Sequence, residues 1–294
     1  MAGEIGWELF RSFLSVLQQG SLSGAARSLG ITQPTVGRHI ASLEKALGLP
    51  LFTRSQTGLL PTEAALSLRS YAESMSSTVA ALQRAAESQG AGVQGAVRIS
   101  ASEVIGGEVL PHVLARLRED HPNLAIELVL TNRVQDLLRR EADIAVRMAP
   151  PKQGALVAKR VSPIILGLHA HQSYLAHSGM PTKLSDLQRH SLIGFDGETP
   201  FLRAARKSLP MWTREAFSLR TDSDLGQLAL IRAGCGIGVC QVGIARRDPS
   251  LVRVLPRQFE LKLETWVTMH EDLRTSPRCK VAFDALVRGL SGST

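Results

Sequence analysis

The sequence from Ser21 to Ala64, SLSGAARSLGITQPTVGRHIASLEKALGLPLFTRSQTGLLPTEA, decides the fold of the N-terminal part of this chain. Its apolar residues recur every three or four positions in two short runs, which predicts two helices separated by a tight turn. Gly30 can adopt the positive φ that ends the first helix. We expect Ile31 to fill the turn, Thr32 to cap the second helix and Pro34 to lie in its first turn. This order of elements predicts a helix-turn-helix.

The second helix has an apolar face and a polar face. Val36, Ile40, Leu43 and Leu47 recur at helical spacing and should face the core. The polar side chains opposite them can reach phosphates and base edges when the helix enters a major groove. An ordinary amphipathic helix pair would show the same periodicity, but the order Ala-Ala-x-x-Leu-Gly-Ile-Thr-Gln-Pro-x-Val favours DNA binding. The candidate DNA-binding residues of this motif are Ser23, Thr32, Gln33, Pro34, Thr35, Arg38 and His39.

The segment from Gly48 to Leu60, GLPLFTRSQTGLL, predicts a hairpin directly after the second helix. Leu51 and Phe52 are its apolar anchors, and Gly58 marks its turn. Arg54 is the one charged residue of the segment. A lone arginine on a hairpin beside a recognition helix is suited to the DNA backbone or the minor groove. We therefore predict a winged helix-turn-helix DNA-binding domain over residues 1–61.

The chain from residue 62 to residue 89 contains no glycine or proline and predicts one long linker helix. Its apolar residues alternate four and three positions apart, as in a heptad seam. The seam consists of Leu68, Ala72, Met75, Val79, Leu82 and Ala86. The helix either lies on its own domain or pairs with a second copy, and the regular seam favours pairing. Two-fold pairing would place two recognition helices on the half-sites of an inverted repeat. Residues 90–95 are expected to be a hinge.

Strand and helix patterns alternate over residues 96–294, which predicts a two-lobed α/β domain with largely parallel sheets. Lobe I is expected at about 96–161 and 265–294, and lobe II at about 162–264. A helix is predicted at 134–140. Ligands favour the carboxyl ends of strands in the cleft between such lobes. Ser100 and Ser102 end the first strand just before a helix N-terminus, where hydroxyl and N–H groups suit an anion. Ser102 would alternatively serve only as the N-cap of that helix.

Charge and cysteine content narrow the classes of function. The net charge is +8, but residues 1–90 contain only seven of the 34 basic and six of the 26 acidic residues. DNA binding is therefore argued from the motif, and the basic C-terminal part hints at an anionic effector. Cys235 and Cys240 suggest a redox switch, but a small buried hydrophobe is the preferred interpretation.

Several other classes of protein are not expected. The sequence shows no export signal and no apolar run of membrane-spanning length, so we expect a cytoplasmic protein without membrane contact. No metal-ligand spacing or nucleophile motif stands out, so neither a metal, a cofactor nor catalysis is expected.

At this point the chain resembles the LysR-type transcriptional regulators over its whole length. The resemblance is carried by AARSLGITQP (25–34), SLEKALGLPLFTR (42–54) and PTEA (61–64). Gly37 departs from the serine that is common in the family's recognition helix, and Ala65 departs from a glycine.

The resemblance implies a periplasmic-binding-protein-like effector domain. It also implies that Thr131 and Arg147 lie near the cleft. The candidates from lobe II are Phe195, Asp196 and Thr221.

The sequence thus predicts a ligand-responsive DNA-binding regulator that acts as a homodimer or a dimer of dimers. Its expected partners are double-stranded DNA with an inverted repeat, a small effector for which the basic C-terminal part suggests an anion, and, from the resemblance, RNA polymerase. The alternative is a two-lobed small-molecule-binding protein or enzyme whose N-terminal helices only dimerise. A constitutive regulator with a filled cleft is a third interpretation.

Overall fold

A computed structural model describes residues 5–55, 58–87, 92–132, 141–151 and 156–292. The chain forms two compact units. The first is mainly Met1–Gln83, and the second comprises Arg84–Leu138 and Ala142–Thr294. The predicted helix at 134–140 lies outside the described residues, as does the beginning of the predicted hinge.

The N-terminal unit has the predicted winged helix-turn-helix order, preceded by one further helix. Its core includes Phe13 from the first helix, Val36 and Leu43 from the third, and Leu51 from the start of the hairpin, each almost fully buried. The elements are α1 Trp7–Gln19, α2 Leu22–Leu29, α3 Gln33–Leu47, β1 Phe52–Ser55, β2 Gly58–Pro61 and α4 Glu63–Glu87.

The turn between α2 and α3 is closed by its backbone. Gly30 has a φ of 68°, and the amide of Ile31 donates to the carbonyl of Ala26 at 3.1 Å. Thr32 caps α3 by accepting a hydrogen bond from the amide of Thr35. The expectation that Ile31 fills the turn is wrong, because its side chain is 37% exposed. A turn whose peptide groups already bond to the end of α2 needs no side chain inside it.

The second unit is built on a seven-stranded sheet in the order β10-β6-β11-β5-β3-β4, with β9 also paired to β6. A separate two-stranded sheet joins β7 and β8. The strands are β3 Gly95–Ala101, β4 Leu124–Leu130, β5 Ile144–Arg147, β6 Leu156–His171, β7 Ile193–Phe195, β8 Leu219–Thr221, β9 Gly238–Gln241, β10 Leu251–Val254 and β11 Leu261–His270. The α-helices are α5 Leu110–Asp120, α6 Gln172–Ser178, α7 Pro200–Ala205, α8 Asp224–Arg232, α9 Val242–Ala245 and α10 Pro277–Ser291.

The prediction of largely parallel sheets is wrong for the large sheet. Strand β3 runs parallel to β4 and β5, but every other described pair in that sheet is antiparallel. The reason is that β6 and β11 are long antiparallel neighbours whose pairing extends from lobe I into lobe II. Two strands that pass through both lobes in opposite directions join the lobes without a helical crossover.

The helical segment after β3 begins several residues before Pro111. It contains a π-helical turn over Ile105–Val109, in which the amide of Leu110 donates to the carbonyl of Ile105. Pro111 then occupies the first turn of α5. None of the helices in the described part of the chain is long and apolar enough to cross a membrane.

Candidate DNA-binding surface and ligand cleft

The N-terminal end of α3 presents an exposed polar surface. Thr32, Gln33, Pro34 and Arg38 are all exposed, and Thr35 is half-buried. The hydroxyl oxygens of Thr32 and Thr35 lie 2.8 Å apart. The guanidinium of Arg38 donates to the Thr35 hydroxyl at 3.4 Å. The structure therefore brings these five candidates together at the end of the helix that should enter a groove.

The other two candidates of the motif, Ser23 and His39, are both half-buried and bonded within the N-terminal unit. Ser23 is half-buried in the first turn of α2, with its hydroxyl 3.5 Å from that of Ser21. His39 is also half-buried, and its Nδ1 lies 2.7 Å from the hydroxyl of the buried Ser12 in α1. His39 thus connects α3 to α1, which leaves only Nε2 for any contact with DNA.

The hairpin is fixed to α3 by a residue that sequence reasoning missed. Glu44 accepts hydrogen bonds from the amides of Leu51 and Phe52, at 2.6 and 3.2 Å. The sequence offered one indication of this role. Glu44 is an acid in the last turn of α3, and the chain after that helix turns back toward it. Arg54, on β1, is exposed. Because carboxylate bonds to backbone amides are among the stronger hydrogen bonds, Glu44 should hold the hairpin at a defined position beside α3.

The family departure at Gly37 is not required by packing. A Cβ built there would meet its nearest neighbour, Cδ1 of Leu22, at 3.7 Å, which is ordinary van der Waals contact. A serine would therefore fit at this position.

The linker helix α4 uses its apolar residues in two ways. Ala72 is buried and Leu68 partly buried in the core of the N-terminal unit, which agrees with the interpretation of a helix lying on its own domain. Tyr71, Met75 and Leu82 instead form an exposed stripe, with exposed fractions of 61%, 38% and 69%. The predicted seam is thus divided between the core and the surface.

The lobe I candidates meet at the carboxyl ends of three neighbouring strands. Ser100 is fully buried, and its hydroxyl accepts a hydrogen bond from Nη2 of Arg147 at 2.6 Å. The hydroxyl of Ser102 lies 3.6 Å from the sulfur of Met148. The amide of Thr131 donates to the carbonyl of Ala101 at 2.9 Å. Ser102 contributes its carbonyl rather than its hydroxyl to the start of the following helix, by accepting from the amide of Gly106.

Arg147 is a largely buried cation. Its Nη1 donates to the carbonyl of Val146 at 2.8 Å, whereas its Nε is buried without a hydrogen-bond partner. None of the acids in the described part of the chain forms an ion pair with it. Burial lowers the pKa of the guanidinium, although arginine remains protonated in proteins. A buried positive charge that lacks an anionic partner favours a negatively charged ligand.

Trp266 is a second residue that sequence reasoning missed. It lies directly opposite Arg147 in the antiparallel pair of β11 and β5, so the two side chains share one face of the sheet. The indole Nε1 is buried without a hydrogen-bond partner. A tryptophan in an alternating strand indicates a core residue, and only the strand register shows that Trp266 lies opposite Arg147.

The lobe II candidates also lie together. Phe195 and Thr221 are directly paired at the ends of β7 and β8. Asp196 is exposed and forms an ion pair with Arg214 at 2.8 Å, while Nε of Arg214 also donates to the Asp196 carbonyl. The Asp196 carboxylate is therefore already occupied by a protein cation.

The two lobes contact each other through a carboxylate cluster at the start of α8. The Glu103 carboxylate accepts from the hydroxyl of Ser223 at 2.7 Å, and the amide of Asn132 donates to Asp224 at 2.8 Å. Burial and the negative charge of Glu103 raise the pKa of Asp224 to about 6, against the bond from Asn132. This contact is consequently sensitive to pH near neutrality.

Two family models match this chain. The model described as "LysR substrate binding domain" matches residues 90–291, and the model described as "Bacterial regulatory helix-turn-helix protein, lysR family" matches residues 7–66. The chain belongs to the LysR family.

This LysR-type protein also has similar curated relatives and solved structures. It is 27% identical over 252 residues to a probable HTH-type transcriptional regulator, LtrA, of Klebsiella pneumoniae, covering 83% of this chain and 81% of that protein. It is 24% identical over 288 residues to the regulator CrgA of Neisseria meningitidis, covering 96% of each. The structure of CrgA has a TM-score of 0.60 at 23% identity, covering 97% of this chain and 99% of that chain. The structure of CbnR has a TM-score of 0.68 at 20% identity, with the same coverage.

These matches make this LysR-type protein a transcriptional regulator with a DNA-binding domain and an effector-binding domain. Its cysteines do not favour a redox switch. Burial raises the pKa of Cys240 to about 12, so this thiol stays protonated at neutral pH and is a poor nucleophile. Burial likewise raises the pKa of Cys279.

The carboxylate cluster of this LysR-type regulator yields a pH prediction. The pKa of Asp224 is about 6 in the folded chain and about 4 when unfolded, so the folded state binds this proton more tightly. Stability should therefore rise as the pH falls through the range between these two pKa values. Asp224→Asn should raise the melting temperature by a few degrees at pH 7.5 and have little effect at about pH 4, as measured by calorimetry. Equal shifts at both pH values would contradict the role of Asp224.

Proposed function

We propose that this regulator reads DNA with the exposed end of α3 and the Arg54 hairpin, and that a small anionic effector binds between its lobes. The observation that carries the effector proposal is the buried Arg147, bonded to Ser100 and without an acidic partner among the described residues. The domain division proposed from the sequence, at about residues 61, 89 and 95, is retained.

The DNA contacts are proposed from exposure and chemistry. Gln33 is exposed in the first turn of α3, and a glutamine amide can bond in a bidentate way to the N6 and N7 atoms of adenine. Arg38, Thr35 and Thr32 suit phosphate oxygens, as does the positive end of the helix dipole. Ser23, Pro34 and Arg54 are retained as candidates at the edge of the same surface. His39 is assigned chiefly to positioning α3, because its Nδ1 is bonded to Ser12.

Gln33→Ala should weaken sequence discrimination rather than general affinity for DNA. Loss of a bidentate base contact should reduce the preference for a selected duplex over a scrambled one by about 1–3 kcal/mol. The measurement is fluorescence anisotropy with both duplexes at physiological salt. Arg27→Ala on the exposed surface of α2 serves as the control, because it removes a charge without removing a proposed base contact. An unchanged ratio of the two affinities in Gln33→Ala would rule out base reading by Gln33.

Oligomerisation is proposed from the exposed stripe on α4. Tyr71, Met75 and Leu82 are large apolar side chains at helical spacing on a surface helix, and such a stripe gains free energy when a second copy covers it. A solved structure of CbnR in complex with its target DNA has a TM-score of 0.66 with this chain at 20% identity. We propose a homodimer, or a tetramer made of two such dimers, on an inverted-repeat site.

The effector would act by favouring one quaternary arrangement over another. This requires that the ligand bind the two arrangements with different affinity. The proposed contacts are Arg147, Ser100, Ser102, Thr131 and, as an addition, Trp266 from lobe I. From lobe II they are Phe195 and Thr221, while Asp196 would have to leave Arg214 to take part. RNA polymerase is retained as a further partner and the cytoplasm as the location.

A single experiment tests the DNA-binding proposal. Duplexes are selected from a random library with the full-length protein, and the winner is compared with a scrambled duplex across a salt titration. A preference that persists at physiological salt establishes specific recognition. Equal and steeply salt-dependent binding to both would contradict sequence reading.

A further inference from the structure

Lobe II contains a cavity of about 180 Å³ that shares no residue with the proposed effector cleft. It lies between one face of the sheet around β6 and β10 and the short helix α9. The residues that line it are His169, Val242, Ala245, Arg246, Leu251 and Arg253. Three of these side chains are apolar, two are cationic and one is an imidazole, so the cavity combines an apolar wall with polar groups.

His169 offers a hydrogen-bond acceptor in this cavity. Its side chain is 2% exposed, and Nδ1 lies 3.0 Å from the carbonyl oxygen of Gly167. Because that carbonyl can only accept, Nδ1 must carry the proton and Nε2 must carry the lone pair. Burial, together with the charge of Arg253, lowers the pKa of His169 to about 4 against the hydrogen bond to the Gly167 carbonyl, so the ring is neutral at pH 7. No described residue forms a hydrogen bond with Nε2.

Two arginines offer donors beside it. Arg253 lies directly opposite His169 in the pair of β10 and β6. Its Nη2 donates to Glu260 at 2.8 Å, but its Nε is buried without a hydrogen-bond partner. Arg246 is exposed at the rim and pairs with none of the acids in the described segments. A buried donor without a partner is costly unless something else bonds to it.

Gly167 lies directly beside three of the residues that line the cavity. A Cβ at this position would lie 3.0 Å from Nε of Arg253 and 3.3 Å from both Cε1 of His169 and Cγ2 of Val242. Gly167 is buried in β6 and its φ is not positive, so backbone geometry does not require glycine there. An added methyl group would therefore press against Arg253, the imidazole and Val242 and displace these walls of the cavity.

We propose that this cavity is a second ligand site, specific for a small hydroxycarboxylic acid. The carboxylate accepts from the guanidinium groups of Arg253 and Arg246. The hydroxyl group donates to Nε2 of His169, and the aliphatic part packs on Val242, Ala245 and Leu251. A ligand with a carboxylate but no hydroxyl would leave Nε2 unpaired, so the site should bind it more weakly.

The test uses 3-hydroxybutanoate as the probe and butanoate as the analogue without a hydroxyl. Binding is measured by isothermal titration calorimetry with the full-length chain carrying Arg147→Ala, so that the proposed effector cleft contributes little. We expect one site per chain and binding of butanoate weaker by about tenfold, the order expected for a buried polar group left unpaired. Equal affinity for both probes, or no detectable binding of 3-hydroxybutanoate, would overturn the proposal.

A pair of glycine substitutions provides the matched structural test. Gly167→Ala in the same background should weaken 3-hydroxybutanoate binding by more than about tenfold, because the methyl group displaces the walls of the cavity. Gly243→Ala on α9 is the control, since a Cβ at this exposed position meets nothing within 4 Å. If the two variants bind the probe equally well, the cavity is not the site.

A second pair of variants covers the case in which Gly167→Ala does not fold. Arg246→Gln on the exposed rim should weaken 3-hydroxybutanoate binding by about three- to tenfold, since a charge-assisted hydrogen bond is replaced by a neutral one. Arg257→Gln, another exposed position of the same lobe, should leave the affinity unchanged. Equal affinities in these two variants would overturn the role given to Arg246 and, with it, the proposed site.

Discussion

Asp143→Ala is expected to lower the free energy of unfolding of the C-terminal unit by about 3–5 kcal/mol. Asp143 is 2% exposed, and one of its oxygens lies 3.3 Å from Nε of Arg84, which is 6% exposed. The same carboxylate accepts from the backbone amide of Arg98 at 2.8 Å. Removing it leaves a buried guanidinium whose one remaining acidic partner among the described residues is the distant Glu127, at 3.9 Å.

The measurement is urea unfolding followed by tryptophan fluorescence, because Trp212 and Trp266 both lie in this unit. Asp143→Asn should lower the free energy of unfolding by less than Asp143→Ala, because its amide oxygen can still accept the hydrogen bond from the Arg98 amide. Glu73→Ala breaks an exposed pair with Arg69 on α4 and should change stability by less than about 1 kcal/mol. If the free energy of unfolding changes as little in Asp143→Ala as in Glu73→Ala, the buried pair does not stabilise the unit.

Arg84 belongs to α4, yet its contacts assign it to the effector-binding unit. Asp143→Ala therefore tests a buried ion pair that lies within this unit.

Arg147→Ala is expected to weaken effector binding by about 2–5 kcal/mol, or roughly 30- to 5000-fold in Kd. The loss is large because a largely buried cation would no longer meet the effector's charge, and a cavity would replace it. The measurement begins with a thermal-shift screen of carboxylic acids on the wild-type protein. Calorimetry with the best compound then compares the variants.

Two further variants separate charge from packing at this site. Arg147→Lys keeps the charge but loses the planar set of donors, so it should retain part of the affinity. Ser100→Ala removes the hydroxyl that accepts a hydrogen bond from Arg147, and it should weaken the free energy of effector binding by about 1 kcal/mol. The role would be refuted if Arg147→Ala bound the effector as well as the wild type. Loss of DNA binding without any effector would instead assign Arg147 a structural role.

The local order of the N-terminal unit could be predicted from sequence because its determinants are local. Gly30 and Thr32 end one helix and begin the next through bonds within a few residues, and the periodicity of Val36, Ile40 and Leu43 identifies the buried face. The role of His39 could not be predicted in this way. Its partner Ser12 is 27 positions away, and only the packing of α3 against α1 brings the two together.

The C-terminal unit shows the same contrast, between what local sequence predicts and what long-range contacts decide, more strongly. The alternation of strands and helices predicted two α/β lobes, since periodicity reports which residues face a core. It did not predict that β6 and β11 are antiparallel, because strand direction depends on pairing between residues about 100 positions apart.

The chemistry of the proposed effector cleft and of the lobe II cavity depends on tertiary structure for the same reason. Trp266 lies beside Arg147, and His169 beside Arg253, through strand register alone. The sequence by itself determined the helix-turn-helix, its exposed reading surface and the two-lobed plan. Only the tertiary structure decided which polar groups are buried without partners, because burial and hydrogen bonding arise between segments that are distant along the chain.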